Sequence, residues 1–456
     1  MRARQSQIRR GLGDNTGMAT SYLPYAPDQT FLLPPSLEEW LPEGHLAYFI
    51  SETVDALDLS AFHARYAKDG PRNQPFHPAM MVKVLIYGYS TGVFSSRKLA
   101  RKLHEDVAFR VLAAGNFPAH RTLSDFRAFH LQELAALFVQ VVKMARECGL
   151  VKLGTIAVDG TKMKASASRH KAMTYKRMKQ AEAELQSEIK ALLNRAKAAD
   201  DLERNEPELD IPAEITRREE RLAVIQAAKA RLEERQREAD AAKGRSEDDN
   251  RRPRNPDGSD KGGGSYKRDF GVPEDKDQES FTDPDSRIMK HSGGNFEQSY
   301  NGYTAVDAEH QIIVAAELTN CAADSRALPV LIAAVKDNLG ELPGQTLADA
   351  GFRSEAVLAK VAENHGDVLV ALGREGRDDA TINAEKYPHT AAMATKLKTV
   401  KGDAAYRRRK AIVEPPNAWI KAVMGFRKFS LRGTEKVTAE WKLVCMALNL
   451  RRMAYL

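Results

Sequence analysis

From residue 169 to residue 243 the chain is densely charged, free of glycine and helical in its periodicity, with proline confined to a break near the middle. Met178, Leu185, Ile189, Leu192, Ala196 and Ala199 recur at helical spacing before the break, and Ile215, Leu222, Ile225 and Leu232 after it. The polar stretch 205–212 separates the two runs, which predicts an antiparallel helical hairpin. Its apolar seam suits two helices packing on each other and is too narrow to face a larger core. Such a hairpin is an arm and has to be rooted in something else. A strand-like segment at 154–158 precedes it, and alternating apolar runs return after residue 285, so the chain reads as a domain interrupted by the arm.

The returning runs have α/β texture. Residues 300–306 and 311–318 are strand candidates joined by a short polar link, hence a hairpin. Residues 327–339 carry Leu328, Leu331, Ile332, Val335 and Leu339 at helical spacing. A short strand at 345–348, a helix at 354–365, a strand at 368–372 and helices at 418–426 and 440–455 follow. Residues 22–150 are helical with short Pro- and Gly-bearing loops, and the Gly/Asp/Arg/Lys-rich stretch 244–285 reads as a flexible loop. The expected organisation is therefore an arm at 1–20, a helical domain at 21–150, an α/β domain split between 151–168 and 286–456, and the hairpin at 169–243.

Composition narrows the function classes. No apolar run approaches the roughly 20 residues needed to span a bilayer. The N-terminal stretch is charged without an apolar core, unlike a secretory signal, and residues 1–17 read as an upstream start or a disordered basic arm. Cys148, Cys321 and Cys445 stand far apart without a CxxC, which argues against a disulfide scaffold or structural zinc and fits a reducing cytoplasm. The net charge of +7 suits a polyanionic partner.

Three carboxylates stand out. In Thr155-Ile-Ala-Val-Asp159-Gly160, a strand delivers Asp159 at its C-terminal end, with Gly160 expected to let the chain turn away. In Thr346-Leu-Ala-Asp349-Ala-Gly351, a second strand runs into Asp349, and the following helix has its own cap in Ser354. Glu414 precedes Pro415-Pro416 and is expected at the start of a helix, in its first turn. Each alone reads equally well as a turn, cap or surface residue. Together they are what a pair of divalent cations needs, since carboxylates converging from different elements can hold ions that act on both sides of a phosphorus centre. No G-x-S-x-G, Walker-type or H-E-x-x-H motif competes with this reading. Arg407, Arg408, Arg409, Lys410, Lys421, Arg427, Lys428 and Arg432 surround Glu414 with positive charge. Lys421 lies about two helical turns beyond Glu414, which predicts that they share a face.

The order Asp, Asp, Glu on this strand pattern resembles the DDE-type bacterial insertion-sequence transposases, in particular the subgroup with a helical N-terminal domain and a long insertion after the first Asp. The most specific pieces are Ala157-Val-Asp-Gly-Thr-Lys162, Ala348-Asp-Ala-Gly-Phe352 and Ile412-Val-Glu-Pro415, followed by residues 426–441. The resemblance implies a ribonuclease-H-like catalytic domain, preceded by an all-α DNA-binding domain, in which Asp159, Asp349 and Glu414 hold two Mg²⁺ or Mn²⁺ ions. It implies binding to double-stranded DNA at element ends and target, cleavage, and joining of the freed 3′-OH. A cytoplasmic, nucleoid-associated homo-oligomer of at least two protomers, with no membrane role, is expected. Relatives often carry Tyr, Arg and Lys at fixed spacing around the Glu. Here Lys421 fits the Lys position, Lys410 replaces the Arg, Arg407 replaces the Tyr, and Tyr406 is one residue out of register. Lys162, Arg408, Lys410, Lys421 and Arg427 are accordingly the expected DNA contacts near the site. A nuclease that cuts without joining, or a DNA-binding regulator without catalysis, are the alternatives.

In the N-terminal half, a helix at 78–89, the turn Ser90-Thr-Gly92 and a helix capped at Ser95-Ser96 resemble a helix-turn-helix. Leu99, Leu103 and Val107 would face inward, leaving Arg97, Lys98, Arg101 and Lys102 to reach DNA. An ordinary helical bundle with a charged outer face fits the same pattern. Thr122 and Asp125 read as a capping box for a further helix.

Overall fold

The computed structural model describes residues 36–66, 75–168, 171–201, 211–255, 259, 262–291, 293–373 and 382–456. The expected arm at 1–20 and most of the break at 205–212 lie outside the described residues.

The N-terminal part comprises α1 (Leu46–Ala56), α2 (Ser60–Ala64), α3 (Pro78–Ser90), α4 (Ser96–Glu105), α5 (Val107–Leu112), α6 (His120–Phe129) and α7 (Leu131–Glu147). Pro78 occupies the first turn of α3, where its missing N–H costs nothing, and His77 caps the helix. The expected inward face of α4 holds for Leu99 and Leu103, both fully buried, but Val107 opens α5 and is exposed. α6 begins at His120, so Thr122 lies inside it and caps nothing.

The sheet is built around β1 (Thr155–Lys164). It continues well past residue 158, so Asp159 lies mid-strand and Gly160 makes no turn. Gly160 is there because a Cβ would stand 2.8 Å from the Tyr303 ring on the neighbouring strand. Beyond β1 come β2 (Ala172–Thr174), α8 (Tyr175–Asp201), α9 (Ile211–Ala241), β3 (Gln278–Ser280), β4 (Arg287–Lys290), β5 (Phe296–Asp307) and β6 (Ile313–Thr319). The chain continues through α10 (Ala327–Leu339), β7 (Gln345–Ala348), α11 (Glu355–Asn364), β8 (Asp367–Val370), α12 (Pro388–Lys398), α13 (Val400–Arg407), α14 (Arg409–Ala418) and α15 (Thr434–Met453). β5 runs antiparallel to β1 on one side, and β7 then β8 run parallel to it on the other. β4 and β6 share the far edge of β5, pairing with its first and last parts. Ile156, Ala157 and Val158 are buried in succession, as a central strand covered on both faces requires.

α8 and α9 pack on each other through Met178, Leu185, Ile225, Ala228 and Leu232. Their pairs Glu182–Lys229 and Glu188–Arg218 run in opposite senses along the two helices, so the helices are antiparallel. The stretch 244–285, expected as a flexible loop, contains β3, which pairs with β2 at the root of the helices. Arg231 and Arg235 grip the buried Glu279 of β3, which ties the base of α9 to that small sheet.

α15 is buried nearly all round and packs against α3, α7 and β6. Its Glu440, 1% exposed, accepts from Tyr89 Oη at 2.9 Å, from the Ser430 hydroxyl, and from the Ser430 and Leu431 amides. Arg127 donates to Tyr89 Oη at 2.8 Å and completes a buried polar chain across α6, α3 and α15. The helical half and the sheet therefore share one hydrophobic core, extending from Ala47 to Met453.

Candidate active site

β1 and β7 are parallel neighbours with Ala157 opposite Leu347. Asp159 and Asp349 each lie two residues further on, so strand register brings the carboxylates side by side. Asp349 follows the last residue of β7, and its Oδ1 accepts from Gly351 N at 2.9 Å, capping the short turn Ala350–Phe352. Ser354 caps α11 through Val357 N. Asp159 is pushed up to about 6, first by burial and then by the charge of Asp349. Arg409, the Gly160 amide and Asn417 act in the opposite direction. The Asn417 amide donates to Asp159 Oδ2 at 3.1 Å.

α14 delivers Asn417 and Arg409. Its inward stripe is Arg409, Ile412, Val413, Pro416 and Asn417, a helical repeat that lays the helix across β1 and β5. Glu414 does not open a helix as expected: it lies in the interior of α14, with Pro415 and Pro416 after it inside the same helix. Pro415 has no N–H for the carbonyl of Ala411, and that oxygen instead accepts from Gln311 Nε2 at 2.8 Å. This contact, from the turn between β5 and β6, satisfies the backbone group that the proline leaves free. Glu414 is exposed, three residues before Asn417 and at the edge of the inward stripe. Among the described residues no group of three or more His, Cys, Asp or Glu side chains forms a ready-made metal cage. The structure thus brings Asp159 and Asp349 together and leaves Glu414 on the rim.

After α14 the helix widens into a π-turn at Trp419–Val423, with Met424 N donating to Trp419 O at 2.9 Å. The wider turn rotates Lys421 off the line expected from regular α-helical spacing after Glu414. Lys421 is half-buried and within the field of Asp159, with its basicity lowered by burial. Lys162 is half-buried on β1 and donates to Lys290 O at 3.0 Å. Lys162, Lys164 and Lys421 all press on His291, whose pKa falls first through burial and then through those charges. Arg427 is exposed, with its Nε donating to Lys421 O. Arg408 and Lys410 are exposed on the outer side of α14, and Arg407 pairs with Asp403.

Arg97 and Lys98 are exposed on α4, Arg101 pairs with Glu105 and Lys102 with Asp106. These four are not gathered with the carboxylates. The turn between α3 and α4 nevertheless abuts the segment after Lys421: Phe94 packs on Phe426, and a Cβ on Gly92 would stand 2.7 Å from Met424 O.

Sequence reasoning passed over two side chains here. Arg409 was one of four adjacent cations, yet the repeat 409, 412, 413, 416, 417 distinguishes it as the inward one. Asn417 lies on the same repeat.

The mixed sheet thus presents two aspartates in register, flanked by lysines and arginines. Residues 268–450 match the family model described as a transposase DDE domain, and residues 35–128 match a transposase domain (DUF772). The chain belongs to the DDE-type insertion-sequence transposases. A ribonuclease-H-like catalytic fold, a DNA substrate and the use of divalent metal ions go with that family. No curated protein and no solved structure matches the chain. Asp349 and Glu414 fall inside the DDE match, whereas Asp159 and the α8–α9 arm lie between the two matched stretches. Among the described residues no helix is long and apolar enough to cross a membrane.

Proposed function

We propose that this transposase binds the ends of its own element, cleaves there, and joins the freed 3′-OH to target DNA, with Asp159, Asp349 and Glu414 as the metal-holding residues. The observation that carries the reading is the in-register pair Asp159 and Asp349, with Asp159 held up to about 6 by burial and by its neighbour's charge. Two crowded carboxylates of this kind suit a divalent cation, which relieves their repulsion. Glu414, one helical turn before Asn417, is the third ligand of this reading. Bound cations would activate the attacking oxygen and stabilise the leaving one during in-line displacement at phosphorus.

The chain's own groups do the positioning. Asn417 orients Asp159 through the hydrogen bond to Oδ2. Lys421, Lys162 and Arg427, with Lys410 and Arg408 further out, hold the phosphates flanking the scissile one. Arg97, Lys98, Arg101 and Lys102 engage the element end, and a second protomer holds the other end. The test is an assay with a duplex carrying the element's terminal inverted repeat, a target plasmid and Mg²⁺. Wild type should nick and join, whereas Asp159→Asn, Asp349→Asn and Glu414→Gln should bind the end and do neither. Near-wild-type cleavage by any of the three would remove that residue from the site, and nicking without joining would make the chain a nuclease.

A further inference from the structure

Asp324 precedes the N-cap of α10, Arg326, by two residues, and it is its backbone carbonyl that meets the helix, accepting from Ala327 N at 2.9 Å. Its carboxylate turns instead toward the two aspartates. Oδ1 lies 3.1 Å from the point where a Cβ on Gly160 would stand, next to Asp159. Oδ2 lies 2.9 Å from the corresponding point on Gly351, and Asp349 Oδ1 lies 3.1 Å from that same point. The two carboxylates therefore face each other across a space that any side chain larger than glycine's would fill.

Oδ1 is held by two donors, Asn301 Nδ2 at 2.7 Å and Tyr303 Oη at 2.9 Å. Oδ2 has no hydrogen-bond donor among the described residues. Asn301 is 1% exposed, reaches toward this space with its amide, and leaves its own Oδ1 without a partner. Buried polar atoms are rarely left unpaired, so an unpaired oxygen on the side chain that holds Asp324 points to a ligand that completes the arrangement.

We propose that Asp324 is a positioning carboxylate of the cation site, whose free Oδ2 draws and orients a divalent cation beside Asp159 and Asp349. Asn301 and Tyr303 fix its rotamer from β5, and Gly160 and Gly351 keep the space open. This rests on the metal-dependent reading of the Asp159–Asp349 pair. The competing view, that Asp324 only anchors the loop before α10 to Tyr303 and Asn301, makes a different prediction for an isosteric change.

The test is Mn²⁺ binding to the full chain, followed by electron paramagnetic resonance, with melting temperatures measured with and without the ion. Asp324→Asn keeps an oxygen for Tyr303 and removes the charge. It should melt at or above the wild-type temperature without metal, because a like charge is gone, and should weaken Mn²⁺ binding by about 10- to 100-fold, as loss of a supporting carboxylate does. Gly351→Ala, which places a methyl between the two carboxylates, should weaken binding similarly, even where the metal-free protein melts somewhat lower because those carboxylates must shift. Wild-type Mn²⁺ affinity in Asp324→Asn, or a lower metal-free melting temperature with unchanged affinity, would overturn the proposal and leave the anchoring view. Asp159→Asn is the control. If wild type binds Mn²⁺ no better than Asp159→Asn, the metal reading fails and this proposal with it. If Asp159→Asn loses binding and Asp324→Asn does not, only the role of Asp324 falls.

Discussion

Two cationic runs look alike on paper: Arg97-Lys98 with Arg101-Lys102 on α4, and Arg407 to Lys410 at the junction of α13 and α14. Both are basic, helical and flanked by apolar residues. On α4 the inward positions are Leu99 and Leu103, so every cation faces out, and two of them are engaged with Glu105 and Asp106 one turn on. On α14 the inward stripe begins at Arg409, which is 7% exposed and bears on Asp159. The phase of a cation relative to its helix's buried face thus decides whether it meets solvent or the carboxylates. Composition is blind to that phase.

The largest effect that would break the comparison is at Arg409. Arg409→Ala should lower cleavage about a hundredfold by leaving Asp159 without its buried counter-charge, whereas Arg408→Ala should change it by no more than a few-fold. Equal effects in a single-turnover cleavage assay would mean that burial does not separate the two arginines. Lys421→Ala should reduce cleavage by about a hundredfold through mis-positioned DNA. Its melting should shift little, and a large melting drop with normal cleavage per folded molecule would make Lys421 structural.

Asp159→Asn sharpens the electrostatic side. The carboxyl of Asp159 is raised from 3.8 to about 6 in the folded chain, so its ionisation there is disfavoured relative to the unfolded chain. Stability present below the unfolded value is lost as pH rises through about 6, and the metal-free Asn variant should escape that loss. It should be more stable than wild type by about 3 kcal/mol near pH 7.5 and by less than about 1 kcal/mol near pH 4, as denaturant melts would show. The smallest effect belongs to α4. Arg97→Ala with Lys98→Ala should weaken binding to the element's end about tenfold and flatten its salt dependence. The paired Arg101→Ala with Lys102→Ala should cost less, and a reversed order in a salt-series binding assay would contradict the outward-facing reading of α4.

Much of this was legible in the sequence. Apolar spacing and punctuating Gly, Pro and Ser residues placed the β5–β6 hairpin, α10, β7 and α11 closely, because those elements are specified by their own residues. Asp159 and Asp349 were legible as carboxylates on strands, but their adjacency depends on the Ala157–Leu347 register, which no local pattern encodes. The extension of β1 beyond Asp159 was missed because Gly160 reads as a turn until Tyr303 is seen against it. The start of α14 was misread because two prolines ordinarily mark a first turn. Here the carbonyl freed by Pro415 is satisfied by Gln311, from a distant turn with no local signature. The stretch 244–285 reads as loop because the strand described in it is three residues long and pairs with β2, which precedes the two long helices in the chain.

The most direct measurement is a metal-specificity switch at the paired aspartates. A thiolate is a poor ligand for Mg²⁺ and a better one for softer Mn²⁺. Asp159→Cys and Asp349→Cys should each lose end cleavage in Mg²⁺ and regain a measurable part of it in Mn²⁺, while end binding stays at the wild-type level throughout. Undiminished cleavage by either variant in Mg²⁺ would show that the two carboxylates do not hold the metal on which the reaction depends.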